Sequence, residues 1–217
     1  MMNGSLGLVE TRGFVGLARV VDTMVKTAPV KVGRYHKIGG GFVMVCVEGP
    51  LSAVKYAADA AFQVAPEKHI AVAVLPAPSR AVLALLGLHS RPEIGEGLAR
   101  IGPSASMGFL ETRGLLPLAL ALDAMMKSVA VVFVGHELVG DGLVTACVVG
   151  DIASVQHAID VGAHEASRVG EMVGAHLVTN PQMDFAQAFS EITRVKPSEG
   201  ELTERSLFSD QQGQWGS

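Results

Sequence analysis

The start of the chain alternates between a short apolar run and a stretch with helical spacing. Residues 6–11 form an apolar run that predicts a strand, and Gly13 ends it. Four apolar residues then recur at i, i+4, i+7 and i+8 and share one face of a predicted helix, namely Leu17, Val21, Met24 and Val25. This helix is expected to end near Lys26, where the helix dipole favours a cation.

A hairpin, a second helix and a last strand follow. Residues 30–38 and 42–47 are rich in β-branched side chains and flank three glycines, which predicts a hairpin with a glycine tip. Pro50 favours the start of a helix. Residues 69–75 then predict a strand and residues 79–86 a short closing helix. The order β-α-β-β-α-β is that of the α+β ferredoxin-like fold, an antiparallel sheet with helices on one face.

The same pattern occurs twice in the chain. The second copy follows the first at a constant offset of 101 residues, as between Glu10 and Glu111, and the register holds without a gap to Asp59 and Asp160. Such a repeat predicts two tandem copies of one domain, at residues 5–88 and 105–194. Residues 89–104 hold several prolines and glycines and predict a linker. The polar tail at residues 195–217 is expected to be disordered.

Composition limits where the chain can place its apolar surface. Of its 217 residues, 49% are hydrophobic and only 18% are charged, and the mean hydropathy is +0.37. No uncharged apolar run reaches the ~18 residues of a membrane span, and the N-terminus has no secretory signal pattern. We therefore expect no membrane partner and expect the surplus apolar surface to form an interface between subunits.

Charge, cysteine content and motifs narrow the class further. The net charge is −4 and the basic residues are scattered, so no nucleic-acid partner is expected. Cys46 and Cys147 occupy equivalent apolar positions, which predicts free buried thiols in a reducing cytoplasm. No catalytic motif is present, and the seven histidines include no close pair with metal-ligand spacing. We predict no enzyme activity, no cofactor and no metal site.

Several separated motifs resemble the bacterial microcompartment shell protein family. They lie at residues 7–13, 22–26 and 37–41 in the first copy and at residues 108–127, 140–151, 162–163 and 168–171 in the second. Two fused copies resemble the tandem-domain branch of that family, whose members are trimers that imitate the six-sided tile of single-domain relatives. The resemblance implies a structural subunit, a homotrimeric pseudohexamer that forms a flat shell tile with a central pore.

The resemblance also implies partners and a location. Such a tile lies in the shell of a cytoplasmic bacterial microcompartment, beside single-domain hexamers and pentameric vertex proteins, and small metabolites pass through its pore. A ferredoxin-like regulatory trimer that binds a small ligand between subunits is the alternative. Tiling separates the two hypotheses, because a regulator would stay a discrete soluble oligomer.

The two hairpin tips match the family's pore loop. A threefold tile would alternate glycine tips with tips that carry Asp141, and close carboxylates repel one another or recruit a cation. Small cations or polar neutral solutes would then pass more easily than anions. The alternative is that Gly-Asp-Gly is only a favourable hairpin turn. The predicted pore-lining residues are Gly39, Gly40, Gly41, Gly140, Asp141 and Gly142.

Some tandem relatives hold an iron–sulfur cluster through a cysteine on the pore loop. Neither tip of this chain carries one, and Cys46 and Cys147 lie several residues past the tips. Because a cluster needs converging thiolates, we expect none on the axis.

Lysines match the family position at the edge between tiles. These are Lys26 and Lys127, and each could equally be a plain helix-end cation. The family's usual Pro-Arg-Pro-His motif is missing from both copies, at residues 76–79 and 179–182. Arg80 could replace the missing edge arginine in the first copy only. We therefore expect the tile to join mixed sheets with other shell subunits more readily than it forms sheets alone.

A repeated polar set lies at the end of the first strand of each copy. It comprises Glu10 and Arg12 in the first copy and Glu111 and Arg113 in the second. Acid–base chemistry is one interpretation of an isolated Glu-x-Arg. Paired copies at a strand-to-helix turn favour a subunit interface instead, because perturbed charge pairs are commonly architectural.

Overall fold

The structure, a computed structural model, describes residues 4–64, 70–89, 105–182, 184–185 and 188. Most of the predicted linker (90–104) and all of the predicted tail (195–217) lie outside the described residues. The first copy contains β1 (Ser5–Arg12), α1 (Phe14–Thr27), β2 (Lys31–Gly39), β3 (Phe42–Gly49), α2 (Leu51–Val64), β4 (Ile70–Leu75) and the short helix α3 (Arg80–Leu85). The second contains β5 (Ser106–Arg113), α4 (Leu115–Ser128), β6 (Val132–Gly140), β7 (Leu143–Gly150), α5 (Ile152–Val169) and β8 (Glu171–Thr179).

Each copy forms one four-stranded antiparallel sheet. The strand order is β2-β3-β1-β4 in the first copy and β6-β7-β5-β8 in the second. The predicted α+β, ferredoxin-like order is therefore confirmed in both copies. The exact domain boundaries at residues 5–88 and 105–194 stay predictions. Both cysteines are free and buried within strands, as expected.

Helix starts follow from local capping chemistry. Asp151 precedes α5, and its carboxylate accepts the backbone N–H of Ser154 at 2.9 Å. Ser79 precedes α3, and its hydroxyl accepts the backbone N–H of Val82. Such caps satisfy N–H groups that have no partner inside the helix. Neither α1 nor α4 has a side-chain cap from its own N-cap residue, which is glycine in both.

Helices α1 and α4 occupy equivalent positions but bury different amounts of surface. In α1 only Leu17, Val20 and Met24 are buried, whereas α4 is buried without interruption from Leu115 to Asp123. A helix that is apolar on all sides needs cover on all sides. For α4 the cover comes from α5, from its own sheet and from the first copy. One continuous apolar core therefore runs through both copies.

Candidate functional site: hairpin tips and the contact between the copies

Left-handed backbone conformations explain the glycines of the two hairpin tips. The φ angles are +100°, +58° and +83° at Gly39, Gly40 and Gly41, and those of residues 140–142 are +115°, +49° and +82°. Residues other than glycine rarely adopt this backbone conformation, although aspartate tolerates it better than most. Asp141 is therefore the one tip residue that brings a side chain into the turn.

The two tips of one chain touch each other through their backbones. A Cβ atom built on Gly40 would lie 2.6 Å from the carbonyl carbon of Asp141 and 2.7 Å from its oxygen. One built on Gly142 would lie 2.7 Å from the ring of Phe42. The structure thus brings the six predicted pore-lining residues of one chain together at one place. Their role as a pore lining stays a prediction.

An arginine holds the tip of the second copy. Nη1 of Arg113 donates to the backbone oxygen of Asp141 at 2.8 Å and lies 3.4 Å from its carboxylate, while Nε donates to Glu171 at 3.0 Å. The Asp141 side chain is largely exposed, so this pair is worth at most about 1 kcal/mol. The sequence alone did not identify this partner of Asp141.

The equivalent arginine in the first copy has a different environment. Arg12 lies over the ring of Phe42, with 6.0 Å between its Cζ atom and the ring centroid. Its tip carries no carboxylate, because Gly40 stands where the second copy has Asp141. Cation–π contacts of this kind stabilise by roughly 0.5–1 kcal/mol at exposed sites. The two arginines therefore support their tips through different chemistry.

Glu10 joins the two copies. Its side chain is buried, and Oε2 accepts the backbone N–H groups of Leu115 at 2.6 Å and Leu116 at 3.1 Å. The carboxylate thus caps α4, at the end where the helix dipole favours negative charge. Burial raises the pKa of Glu10 to about 7, although the two backbone hydrogen bonds act in the opposite direction. Glu10 therefore lies at an interface between domains of one chain.

A second polar contact joins the two copies farther along α4, at Asp123. Oδ1 of the buried Asp123 accepts the backbone N–H of Ser79 at 2.7 Å, and the same carboxylate pairs with Lys127. The equivalent pair in the first copy, Asp22 and Lys26, is exposed and spans 2.7 Å. Lys127, predicted at a tile edge, therefore also supports the contact between copies. Lys26 and Arg80 are exposed, and the edge role of all three residues stays a prediction.

We call the contact between the two copies the inner seam. On the first copy it buries Glu10 and Ile38, and on the second it buries Leu115, Leu116 and Phe133. The equivalents of the apolar residues are exposed at the free ends of the chain, and Glu111, the equivalent of Glu10, is half-buried. Leu115 and Leu116 are 2% and 1% exposed, whereas their equivalents Phe14 and Val15 are 62% and 84% exposed. Phe133 is 3% exposed and its equivalent Val32 45%. Ile38 is 3% exposed and its equivalent Val139 57%.

Two free surfaces follow from this comparison. The first outer face comprises Phe14, Val15 and Val32 and is equivalent to the buried surface of the second copy. The second outer face comprises Glu111 and Val139 and is equivalent to the buried surface of the first copy. Oε2 of Glu111 accepts a hydrogen bond from the Thr145 hydroxyl at 2.7 Å. Each outer face is thus the counterpart of one side of the inner seam.

Histidines do not assemble a metal site in the part of the chain that is described. His36 on β2 is close enough to His136 on β6 for their charges to interact. The pKa of His36 is lowered to about 4, mainly by burial and also by the nearby charges of Arg34 and His136, so this imidazole is neutral at pH 7. No group of three or more histidine, cysteine, aspartate or glutamate side chains in the described ranges could hold an ion. Nor is any described helix long and apolar enough to cross a membrane.

Fold and seam define a tandem α+β protein whose two copies join side by side, with their hairpin tips in contact. Both copies match the family described as BMC domain, over residues 5–78 and 106–181. The chain therefore belongs to the BMC-domain family of bacterial microcompartment shell proteins.

Curated relatives agree with this assignment, and a solved structure shares the fold. The chain is 36% identical over 176 residues to the carboxysome assembly protein CcmO of Synechocystis sp., a match covering 78% of this chain and 59% of CcmO. A stretch of 84 residues is 44% identical to the microcompartment shell protein EutM of Salmonella typhimurium, covering 39% of this chain and 88% of EutM. The crystal structure of a microcompartment protein from Desulfitobacterium hafniense shares the fold, with a TM-score of 0.64 over 85% of this chain and 98% of that one at 24% identity.

The family assignment decides between the functions that the sequence left open. BMC shell proteins such as CcmO and EutM are structural. The chain is accordingly a structural subunit of a microcompartment shell and not an enzyme. The alternative of a ligand-binding regulatory trimer is set aside.

Proposed function

We propose that three chains associate head to tail into a closed ring of six BMC domains, with a central pore lined by the hairpin tips. The single observation that carries this proposal is the complementarity of the two outer faces. The inner seam already shows how one copy packs against the next. Its two halves recur at opposite ends of the same chain, where their large apolar side chains are exposed. A contact that joins unlike faces generates a closed ring when its rotation closes.

Apolar burial supplies the driving force for this association. Val15 and Phe14 are 84% and 62% exposed, and their equivalents in the inner seam are almost fully buried. Each large apolar side chain contributes about 1.5–3 kcal/mol when it leaves water completely. The high apolar content of the chain has the same explanation, because interfaces between obligate subunits resemble a domain core.

Polar groups on the outer faces also match the inner seam. Glu111 is the equivalent of Glu10, and Phe14 and Val15 are the equivalents of Leu115 and Leu116. In the ring, Glu111 would accept the backbone N–H groups that start α1 of the next chain. Those N–H groups have no side-chain cap from Gly13, so the contact would satisfy donors that are otherwise left to water.

The oligomeric state of two matched variants tests the ring. Phe14→Asp places a charge on the first outer face, and Phe62→Asp places the same charge on an exposed phenylalanine of α2 outside both outer faces. Sedimentation equilibrium should give three times the 22.6 kDa chain mass for the wild type and Phe62→Asp. Phe14→Asp should sediment as a monomer. A monomeric wild type, or a trimeric Phe14→Asp, would refute the proposal.

Passage of small polar metabolites is the proposed role of the pore. Near the tips each chain carries the cations of Arg12 and Arg113 and the carboxylates of Asp141 and Glu171. These charges balance, so polar neutral solutes suit the opening, and the Asp141 carboxylates favour cations over anions only weakly. Asp141→Lys should reverse this preference in ion flux through reconstituted trimers. Unchanged anion passage in that variant would contradict the assignment.

The tile would take its place in the shell of a cytoplasmic microcompartment with single-domain hexamers and pentameric vertex proteins. Lys26 is exposed at the end of α1 and is available for an edge contact. The family's edge arginine is absent from both copies, and only Arg80 is near in sequence. We expect mixed sheets with a single-domain shell protein in electron micrographs and no extended sheets of this chain alone. Large sheets of the pure protein would contradict this view.

A further inference from the structure

The tips of one chain pack closely because residue 40 has no side chain. A Cβ atom at Gly40 would point at the neighbouring tip and lie 2.6 Å from the Asp141 carbonyl carbon and 2.9 Å from the Gly142 nitrogen. Real Cβ atoms essentially never come within 3.0 Å of such atoms. Both contacted atoms belong to backbone, so no rotation of a side chain relieves the overlap.

The equivalent position in the second copy does carry a side chain. Asp141 has φ +49°, close to the +58° of Gly40, so its Cβ leaves the hairpin in the direction where the Cβ of Gly40 would lie. In the proposed trimer, an exact repeat of the inner seam would also bring the tips of adjacent chains into contact. The Cβ atom of Asp141 would then lie about 2.6 Å from the carbonyl carbon of Gly40 in the next chain. That contact is too short to exist.

We propose that Asp141 acts as a steric wedge, which pairs the tips within each chain and separates them between chains. Carbon atoms pack at about 3.5–4.0 Å, so the tips between chains must lie at least about 1 Å farther apart than those within a chain. The pore is then threefold. It has three close tip pairs and three wider slots, and each slot is flanked by an Asp141–Arg113 pair. This inference rests on the proposed trimer.

A neighbouring position points in the same direction. In the inner seam the Phe42 ring packs against Gly142. The equivalent contact between chains would place Leu143 against Gly41 of the next chain. Leucine is smaller than phenylalanine and covers less of the opposing tip. The tips of adjacent chains are thus packed less tightly at this position as well.

Structures of the wild type and two variants test the wedge. Asp141→Asn keeps the shape of the side chain and removes its charge, whereas Asp141→Gly removes the Cβ atom. The measurement is the distance between the Cα atoms of residues 40 and 141, within a chain and between chains. In the wild type and in Asp141→Asn the distance between chains should be larger by about 1 Å or more. In Asp141→Gly the difference between the two distances should shrink.

The possible results distinguish the wedge from the trimer. Equal distances in the wild-type trimer, or an unchanged difference in Asp141→Gly, would overturn the wedge while leaving the trimer intact. Closure of the slot in Asp141→Asn would show that charge repulsion, not the Cβ atom, holds the tips apart, and it would overturn the wedge too. A chain that sediments as a monomer would remove the proposed function first. Sedimentation therefore distinguishes a failure of the proposed trimer from a failure of the wedge.

Discussion

Glu10 and Leu115 belong to different copies of the domain, yet the carboxylate of Glu10 accepts the backbone N–H of Leu115 at 2.6 Å. This contact is buried, and it places a titratable group where the two copies meet. The first copy therefore supplies the cap that Gly114, the N-cap residue of α4, lacks.

The stability of the chain should depend on pH through Glu10. Burial raises its pKa from 4.5 to about 7, so between these values the folded state holds a proton that the unfolded state has lost. Unfolding free energy then falls as the pH rises through this window, by up to about 3 kcal/mol. Urea unfolding at fixed protein concentration from pH 4 to 8 measures this decrease in unfolding free energy. Glu10→Gln keeps an acceptor oxygen without titrating and should remove this part of the dependence.

A Glu10→Gln variant with the same pH profile as the wild type would contradict the assignment. The equivalent substitution in the second copy, Glu111→Gln, is the matched control. The Glu111 carboxylate is only half-buried and accepts a hydrogen bond from Thr145 rather than from a helix of another copy. At protein concentrations too low for association, this control should leave the pH profile unchanged.

Much of each copy could be predicted from the sequence because the signals are local. The helical spacing around Leu17 and the glycines at residues 39–41 act within a few residues, and both gave the right elements. The inner seam was different. Phe14 and Leu115 are both apolar, and no local pattern tells which one another copy covers. The unbroken apolar run of α4, compared with the exposed Arg19 in α1, was the available hint.

The partner of Asp141 was missed for a similar reason. Arg113 is 28 residues away in sequence, and only the antiparallel register of β5 with β7 brings it beside the tip. That register pairs Arg113 with Leu143, the first residue after the tip. Aligning the ends of the two predicted strands would have placed the arginine there.

Replacing Gly40 by alanine should destabilise the chain more than the same change at Gly41. Both positions have positive φ and share the strain of a side chain in that region, but only Gly40 faces backbone atoms at 2.6 Å. At Gly41 the nearest atom is Cγ of Arg12 at 3.5 Å, which can move. The extra loss at Gly40 should be about 1–3 kcal/mol, the usual cost of overpacking. Urea unfolding of both variants measures it, and equal losses would contradict the tip contact.

Loss of Arg113 should strengthen the preference of the pore for cations. Arg113→Gln leaves Asp141 unpaired, whereas Arg12→Gln removes the same charge from an arginine that lies on the Phe42 ring. We expect the cation-to-anion permeability ratio to rise in Arg113→Gln by up to about fivefold over that in Arg12→Gln, since an exposed pair is worth at most ~1 kcal/mol. Reversal potentials across reconstituted layers provide the measurement. Equal permeability ratios in the two variants would argue against a pair between Arg113 and Asp141.

Two equivalent aspartates should contribute unequally to the stability of the single chain. Asp123 is buried and holds both the Ser79 N–H and Lys127, while Asp22 pairs with Lys26 in water. Asp123→Ala leaves a part-buried donor unsatisfied and should cost about 1–3 kcal/mol. Asp22→Ala should cost less than about 1 kcal/mol. Urea unfolding below the association threshold compares them, and similar losses would contradict the role given to the inner seam.

The same Asp22→Ala variant should reveal a cost once chains associate. Ser79, whose N–H binds Asp123, corresponds to Gln182 in the second copy, because β4 and β8 pair with their neighbours at an offset of 103 residues. In the ring, Asp22 would therefore accept the backbone N–H of Gln182 from the next chain. A hydrogen bond to a charged group is worth about 1.5–3 kcal/mol, so each contact between chains should weaken by at least about tenfold.

Sedimentation equilibrium over a concentration series measures this shift, with Asp59→Ala on the exposed side of α2 as the control. If Asp22→Ala and Asp59→Ala dissociate at the same concentration, the contact between chains does not repeat the inner seam at this point.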